Sequence, residues 1–121
     1  MPRTGIVVFG HGSPVASAND AVRVVAASAA REGSWALYET AFLECDPTLG
    51  AAIERLARAG AQEVLVLPYF LILGIHLQRD LPKIVEELTA RYGLPIRVAP
   101  PLDGHAALSK ILVDRATEAI G

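Results

Sequence analysis

The sequence predicts an α/β domain: a four-stranded parallel sheet in the order 2-1-3-4, sandwiched between helices in a flavodoxin-like, three-layer arrangement. Three observations predict it. Four apolar runs of strand length alternate with four segments whose apolar residues recur at helical spacing, the pattern of successive βα units. The links between them are short, so each crossover should be one right-handed helix. A chain of 121 residues is long enough for one hydrophobic core and too short for two, so residues 1–121 are expected to form a single domain.

The first strand is TGIVVFG, residues 4–10, an apolar run closed by glycine and followed by the turn His11-Gly12-Ser13-Pro14. Residues 17–31 are alanine-rich, with Val22, Val25, Ala26 and Ala29 at helical spacing and Gly33 as a terminating glycine, so they form the first helix. Aromatic and apolar residues 35–43 make the second strand, which ends at Glu44. Asp46 and Pro47 look like the cap and first turn of a second helix, with Leu49, Ile53, Leu56 and Ala57 on one face.

Residues 64–67 (VLVL) read as a strand buried on both faces, because no polar side is left for water, and Pro68 ends it. Residues 69–73 stay apolar where a surface loop would turn polar. Gly74 permits a tight turn, His76 follows in the loop, and Asp80 with Pro82 reads as the cap and first turn of a third helix from about residue 81 to 92. Ile84, Val85 and Leu88 should face inward, and Gly93 should end the helix. Residues 94–99 suit a short edge strand, after which Asp103 is expected to cap a last helix with Leu108, Ile111, Leu112 and Ile120 as its buried stripe.

Composition excludes several classes of function. Hydrophobic residues at 52% and charged ones at 20% argue against disorder. No segment reaches the roughly 20 apolar residues that span a bilayer, and the first ten residues are a strand pattern without the features of a signal peptide, so a cytoplasmic protein is expected. A net charge of −2 supplies no basic face for nucleic acid or anionic membranes. Cys45 is the single cysteine, which excludes an internal disulfide and any CxxC metal knuckle.

In the 2-1-3-4 order, ligands bind at the carboxyl ends of the first and third strands, where the following helices leave to opposite faces. His11 follows strand one, His76 follows strand three, and Glu44 ends strand two beside them. Either histidine alone could be an ordinary turn or loop residue; together at the switch point they make a candidate site. Two imidazoles and a carboxylate suit a first-row divalent ion such as Co²⁺, Fe²⁺, Ni²⁺ or Zn²⁺ and leave coordination positions open, as transfer or catalysis requires. Glu44 could accept protons, touch the ion, or simply favour the dipole of the helix after it. His105 reads as a helix-start residue and Cys45 as a small buried one. Ser13 lies in no GxSxG elbow, and the turn around it lacks the lysine of a phosphate-binding loop.

Gly10 to Ser13 (GHGS), Ala41 to Glu44 (AFLE) before a proline, and the block PxFLxxGxHxxxDxP from Pro68 to Pro82 together resemble the class II tetrapyrrole chelatases. The similarity is to the short, single-domain sirohydrochlorin cobaltochelatase type, related to sirohydrochlorin ferrochelatases and nickelochelatases, and it covers nearly the whole chain. One departure is Leu73, where many members have a proline or another small or polar residue. The resemblance implies that His11 and His76 form the metal site. It implies insertion of a divalent metal, with Co²⁺ first and Fe²⁺ or Ni²⁺ as alternatives, into sirohydrochlorin for cobalamin or sirohaem biosynthesis. The ion is then a substrate, no nucleotide cofactor is needed, and the short chain, like half of a two-domain chelatase, works as a homodimer.

The residues suit that chemistry. Metal insertion requires that pyrrole N–H protons leave and that the ion shed water, so a base and a weakly held metal must meet across the ring. His11 and His76 are expected to hold the ion, and one of them or Glu44 to take the protons. Tyr69, Phe70 and Leu71 would cover the ring face, while Arg79, Lys83 and the backbone N–H groups of Gly12 and Ser13 would grip its carboxylates. Two other readings keep the same fold: a non-catalytic metal or tetrapyrrole carrier, and an interaction domain with incidental histidines.

Overall fold

Parallel pairing on both sides of one strand organises the molecule. In the computed structural model, which describes residues 2–121, β1 (Thr4–Gly10) lies between β2 (Leu37–Phe42) and β3 (Glu63–Pro68), with β4 (Ile96–Val98) outside β3. The order β2-β1-β3-β4 is the one expected from the sequence. Helices α1 (Ala16–Gly33), α2 (Leu49–Arg58), α3 (Ile75–Tyr92) and α4 (Ala107–Ile120) alternate with the strands. Among the described residues no helix is long and apolar enough to cross a membrane.

The main core lies between the sheet and α2 with α3. Val7, Phe9, Val64 and Val66 from the sheet meet Ile53, Leu56, Leu77, Leu81 and Leu88, all buried. Helix α2 comes very close to β1, since a Cβ on Gly5 would lie 3.0 Å from Leu56 Cδ1. On the opposite face Ala26 and Ala30 of α1 are buried, as are Ile6 and Val8 of β1.

Several expectations are corrected. Helix α2 is capped by Thr48, whose Oγ1 accepts a hydrogen bond from Ala51 N at 3.2 Å, and not by Asp46. Pro47 lies in the preceding turn, where its carbonyl accepts from Phe42 N. Helix α3 begins at Ile75, so His76 sits in its first turn, Asp80 is no cap, and Pro82 is interior. An interior proline costs about 3 kcal/mol. Starting the helix early brings Leu77 into the core beside Leu81, each worth about 1.5–3 kcal/mol, which offsets that cost.

The opposite face is less covered than its sequence pattern suggests. Val25 is 43% exposed, and β3 buries Val64 and Val66 while Leu65 and Leu67 are only half-buried. The cause is α4, none of whose residues is buried: Leu112 is 71% and Ile120 87% exposed. Asp103 does not cap it. Leu102 N and Asp103 N donate instead to Phe70 O and Leu71 O, which ties the preceding link to the β3–α3 loop at the carboxyl rim. His105 lies in the turn just before α4, its Nδ1 accepting from Ala107 N at 3.0 Å.

Candidate functional site

The ladder that pairs the strands continues past their ends and sets the site. Gly10 is in register with Phe42, and Phe9 with Pro68. Beyond these pairs Leu43 N donates to Gly10 O at 3.0 Å, Glu44 N to His11 O at 2.9 Å, and Tyr69 N to Phe9 O at 2.7 Å. The three loops after β1, β2 and β3 are therefore fastened side by side. His11, Glu44, Phe70 and His76 from these loops and the first turn of α3 line one cavity of about 440 Å³, within the range of small-molecule sites.

His11 is held in a defined tautomer. A carbonyl can only accept, so the 3.1 Å contact of Nδ1 with Gly12 O is an Nδ1–H donation, which in the neutral ring leaves the lone pair on Nε2. Metal-binding histidines commonly use such a backbone partner on the far nitrogen. Phe70 braces the ring edge-on, at 6.3 Å between centroids, and itself packs on Phe9 at 5.9 Å. Glu44 Oε1 lies 3.8 Å from His11 Nε2, beyond hydrogen-bond distance but close enough for its charge to favour a proton on the ring. Both side chains are largely exposed, so as an ion pair they contribute little to stability, about 0–1 kcal/mol.

His76 differs. Its Nδ1 lies 3.1 Å from Arg79 Nη2, and the guanidinium is also held by Asp80 Oδ1, 3.2 Å from Arg79 Nε. Among the described residues no three or more His, Cys, Asp or Glu side chains converge as a metal-binding group. The site thus offers two imidazoles, with Glu44 beside one of them, and no closed cage. Such a donor set can hold an ion without trapping it.

Two expected ring-facing residues point elsewhere. The β3–α3 loop continues the alternation of β3, so Phe70 and Ile72 face the cavity, whereas Tyr69 lines an apolar groove with Val8, Val25, Leu67 and Leu102 on the other side of the sheet. Leu71 is 64% exposed and does not line the cavity. Leu73 packs inward against the core. Ile75, which the sequence reading passed over, lines the cavity and is 78% exposed, and with Ile72 it gives the mouth an apolar rim. Continuing the period of two past Pro68 would have picked out Phe70 and Ile72. Lys83 is exposed two turns after His76 on α3, outside the cavity.

Ser13 has an internal task. Its N–H donates to Asn19 Oδ1 and its carbonyl accepts from Asn19 Nδ2, both at 2.9 Å, while its Oγ accepts from Val15 N. Its N–H is therefore not free for a ligand carboxylate. Asn19 Nδ2 also lies 3.5 Å from Cys45 Sγ, so this one amide joins the loop of His11 to the loop of Glu44. Gly12 is needed between them: its φ is +88°, and a Cβ there would lie 2.8 Å from Cys45 Sγ.

The CbiX family model matches residues 5–119. The chain belongs to the CbiX family. A sirohydrochlorin cobaltochelatase of Methanopyrus kandleri is 28% identical over 96% of this chain and 96% of its own length. Among solved structures, a CbiX protein of Marinobacter aquaeolei has a TM-score of 0.85 at 28% identity, covering 97% of this chain and 94% of that one. The sirohydrochlorin chelatase SirB of Bacillus subtilis, solved with cobalt, shares the fold with a TM-score of 0.87 at 24% identity. This CbiX chain spans half of SirB, 96% of its own residues matching 50% of the longer chain.

The clamp on Ser13 yields a prediction. Asn19→Ala leaves the Ser13 amide and carbonyl without their side-chain partners and should lower unfolding free energy by about 1–3 kcal/mol, read as a lower urea midpoint. An unchanged midpoint would mean that the loop does not depend on Asn19.

Proposed function

We propose that this protein is a sirohydrochlorin chelatase that inserts a divalent metal ion, Co²⁺ before Fe²⁺ or Ni²⁺, into the macrocycle for cobalamin biosynthesis. The observation that carries the reading is the meeting of His11 and His76, from different βα loops, at one cavity with an apolar rim. Family membership and relatives named sirohydrochlorin cobaltochelatase support the substrate and put cobalt first.

In this reading the ion enters as a substrate and is held loosely between the two imidazoles. The macrocycle lies over Phe70, Ile72 and Ile75, with the ring nitrogens toward the ion. Glu44 accepts one proton as it leaves the pyrroles, and His11 Nε2 accepts the other once the ion has moved from it to the ring nitrogens; both protons then pass to water. Arg79, against His76 on α3, with Lys83 further along the helix, takes ring carboxylates.

The test is visible absorption of sirohydrochlorin under anaerobic conditions, with Co²⁺, Fe²⁺ and Ni²⁺ supplied in turn and a protein-free control. Many equivalents converted per protein, fastest with Co²⁺, are expected. His76→Ala should lose roughly 10²-fold or more in rate while its circular dichroism stays native. Conversion that stops at one equivalent would make the protein a carrier, and a normal rate for His76→Ala would remove His76 from the reaction.

We also propose that the working form is a homodimer. The exposed apolar residues of α4 and the apolar groove lined by Val8, Val25, Leu67, Tyr69 and Leu102 support it, since both are apolar surfaces that this chain leaves uncovered. The match to half of SirB supports it too. Light scattering should give twice the 12.8 kDa chain mass, and Leu112→Glu should bring it down to one chain. A wild-type mass of 12.8 kDa at micromolar concentration would overturn the proposal.

A further inference from the structure

We propose that Arg79 is a latch on His76, withholding this imidazole from the metal until a ligand carboxylate draws the guanidinium away. A guanidinium has only donors, so at 3.1 Å from Arg79 Nη2 the His76 Nδ1 must be the acceptor. The neutral ring then carries its hydrogen on Nε2. His11 is in the opposite state, with hydrogen on Nδ1 and the lone pair on Nε2. The two rings that should share one ion are therefore not equally ready. Ligation through Nδ1 of His76 requires Arg79 to leave that atom. Ligation through Nε2 requires the ring hydrogen to move to Nδ1, where it would meet the N–H of Arg79. Both routes demand that Arg79 swing away.

The Arg79 side chain is 63% exposed, does not itself line the cavity, and lies against His76, which does. A carboxylate accepts two parallel N–H bonds from a guanidinium and binds it more strongly than one imidazole nitrogen does. Asp80 Oδ1, on Nε, keeps the side chain lying along α3 in the meantime. The identity of the releasing carboxylate rests on the chelatase reading, in which it belongs to the macrocycle; the latch itself does not. Its consequence is an order of addition. The metal-free protein holds His76 back, and arrival of the ring completes the ion site at the moment when an ion can be used.

Isothermal titration of Co²⁺ into the metal-free protein, without tetrapyrrole, tests the latch apart from any turnover. Arg79→Ala should bind Co²⁺ roughly 3- to 10-fold more tightly than wild type, the range set by the loss of one competing hydrogen bond. The gain should vanish when His76 is also replaced, so that Arg79→Ala/His76→Ala matches His76→Ala. An unchanged affinity for Arg79→Ala would overturn the proposal. So would an equal gain without His76, because that result would report only the removal of a positive charge. Histidine ¹⁵N NMR of the metal-free protein in alkaline buffer supplies an independent readout. It should show the Nε2–H tautomer for His76 and the Nδ1–H tautomer for His11, with the His76 pattern altered in Arg79→Ala; the same tautomer for both rings in wild type would contradict the latch.

Discussion

The two-sided parallel pairing of β1 is the constraint on which the rest depends. Because its partners run in the same direction and in register, β1, β2 and β3 end at one level, and their loops leave from the same edge. The ladder then runs on through Glu44 N to His11 O and Tyr69 N to Phe9 O, so the loops inherit the regularity of the sheet. Burial enforces the register. A one-residue slip of β3 would turn Val64 and Val66 out of the core and put Leu65 and Leu67 in their place, moving Phe70 away from His11. Packing of α2 and α3 on one face thus fixes where the histidines stand.

What the sheet assembles is a site with few ligands. A closed cage of three or four donors would hold an ion too well to surrender it, whereas two imidazoles leave positions for water, a ring nitrogen or both. The rigid parts are concentrated around His11. Gly12 O orients the ring, Phe70 braces it, and Asn19 fastens the loop through both polar groups of Ser13. His76 stands instead on the first turn of a helix, next to exposed isoleucines and a guanidinium that can move. In the proposed reaction His11 is the prepared ligand and His76 the conditional one.

The strand order and the meeting of His11, Glu44 and His76 were legible in the sequence, because both follow from hydrophobic periodicity and the rule that binding crevices form where crossovers diverge. Asp80 and Pro82 misled, since local cap and proline signals favour a late helix start while burial of Leu77 and Leu81 favours an early one, and tertiary burial wins. Tyr69 and Leu71 look like ring-covering residues in the sequence because an apolar loop reads as one surface, whereas its backbone still alternates sides. The exposure of α4 had no local signal at all. An apolar stripe on a helix has the same pattern whether or not its own chain covers it, so Leu112 and Ile120 look like core residues in the sequence.

The most direct test of the central claim, that the two loops bring His11 and His76 together to receive the metal, is a crystal structure of the Arg79→Ala variant, in which His76 is released, saturated with Co²⁺, with anomalous scattering recorded at the cobalt edge. One cobalt peak in the crevice, bonded to both imidazoles and with open positions facing Phe70 and Ile72, is the predicted result. Cobalt bound elsewhere, or a crevice with both histidines unliganded at saturation, would contradict it.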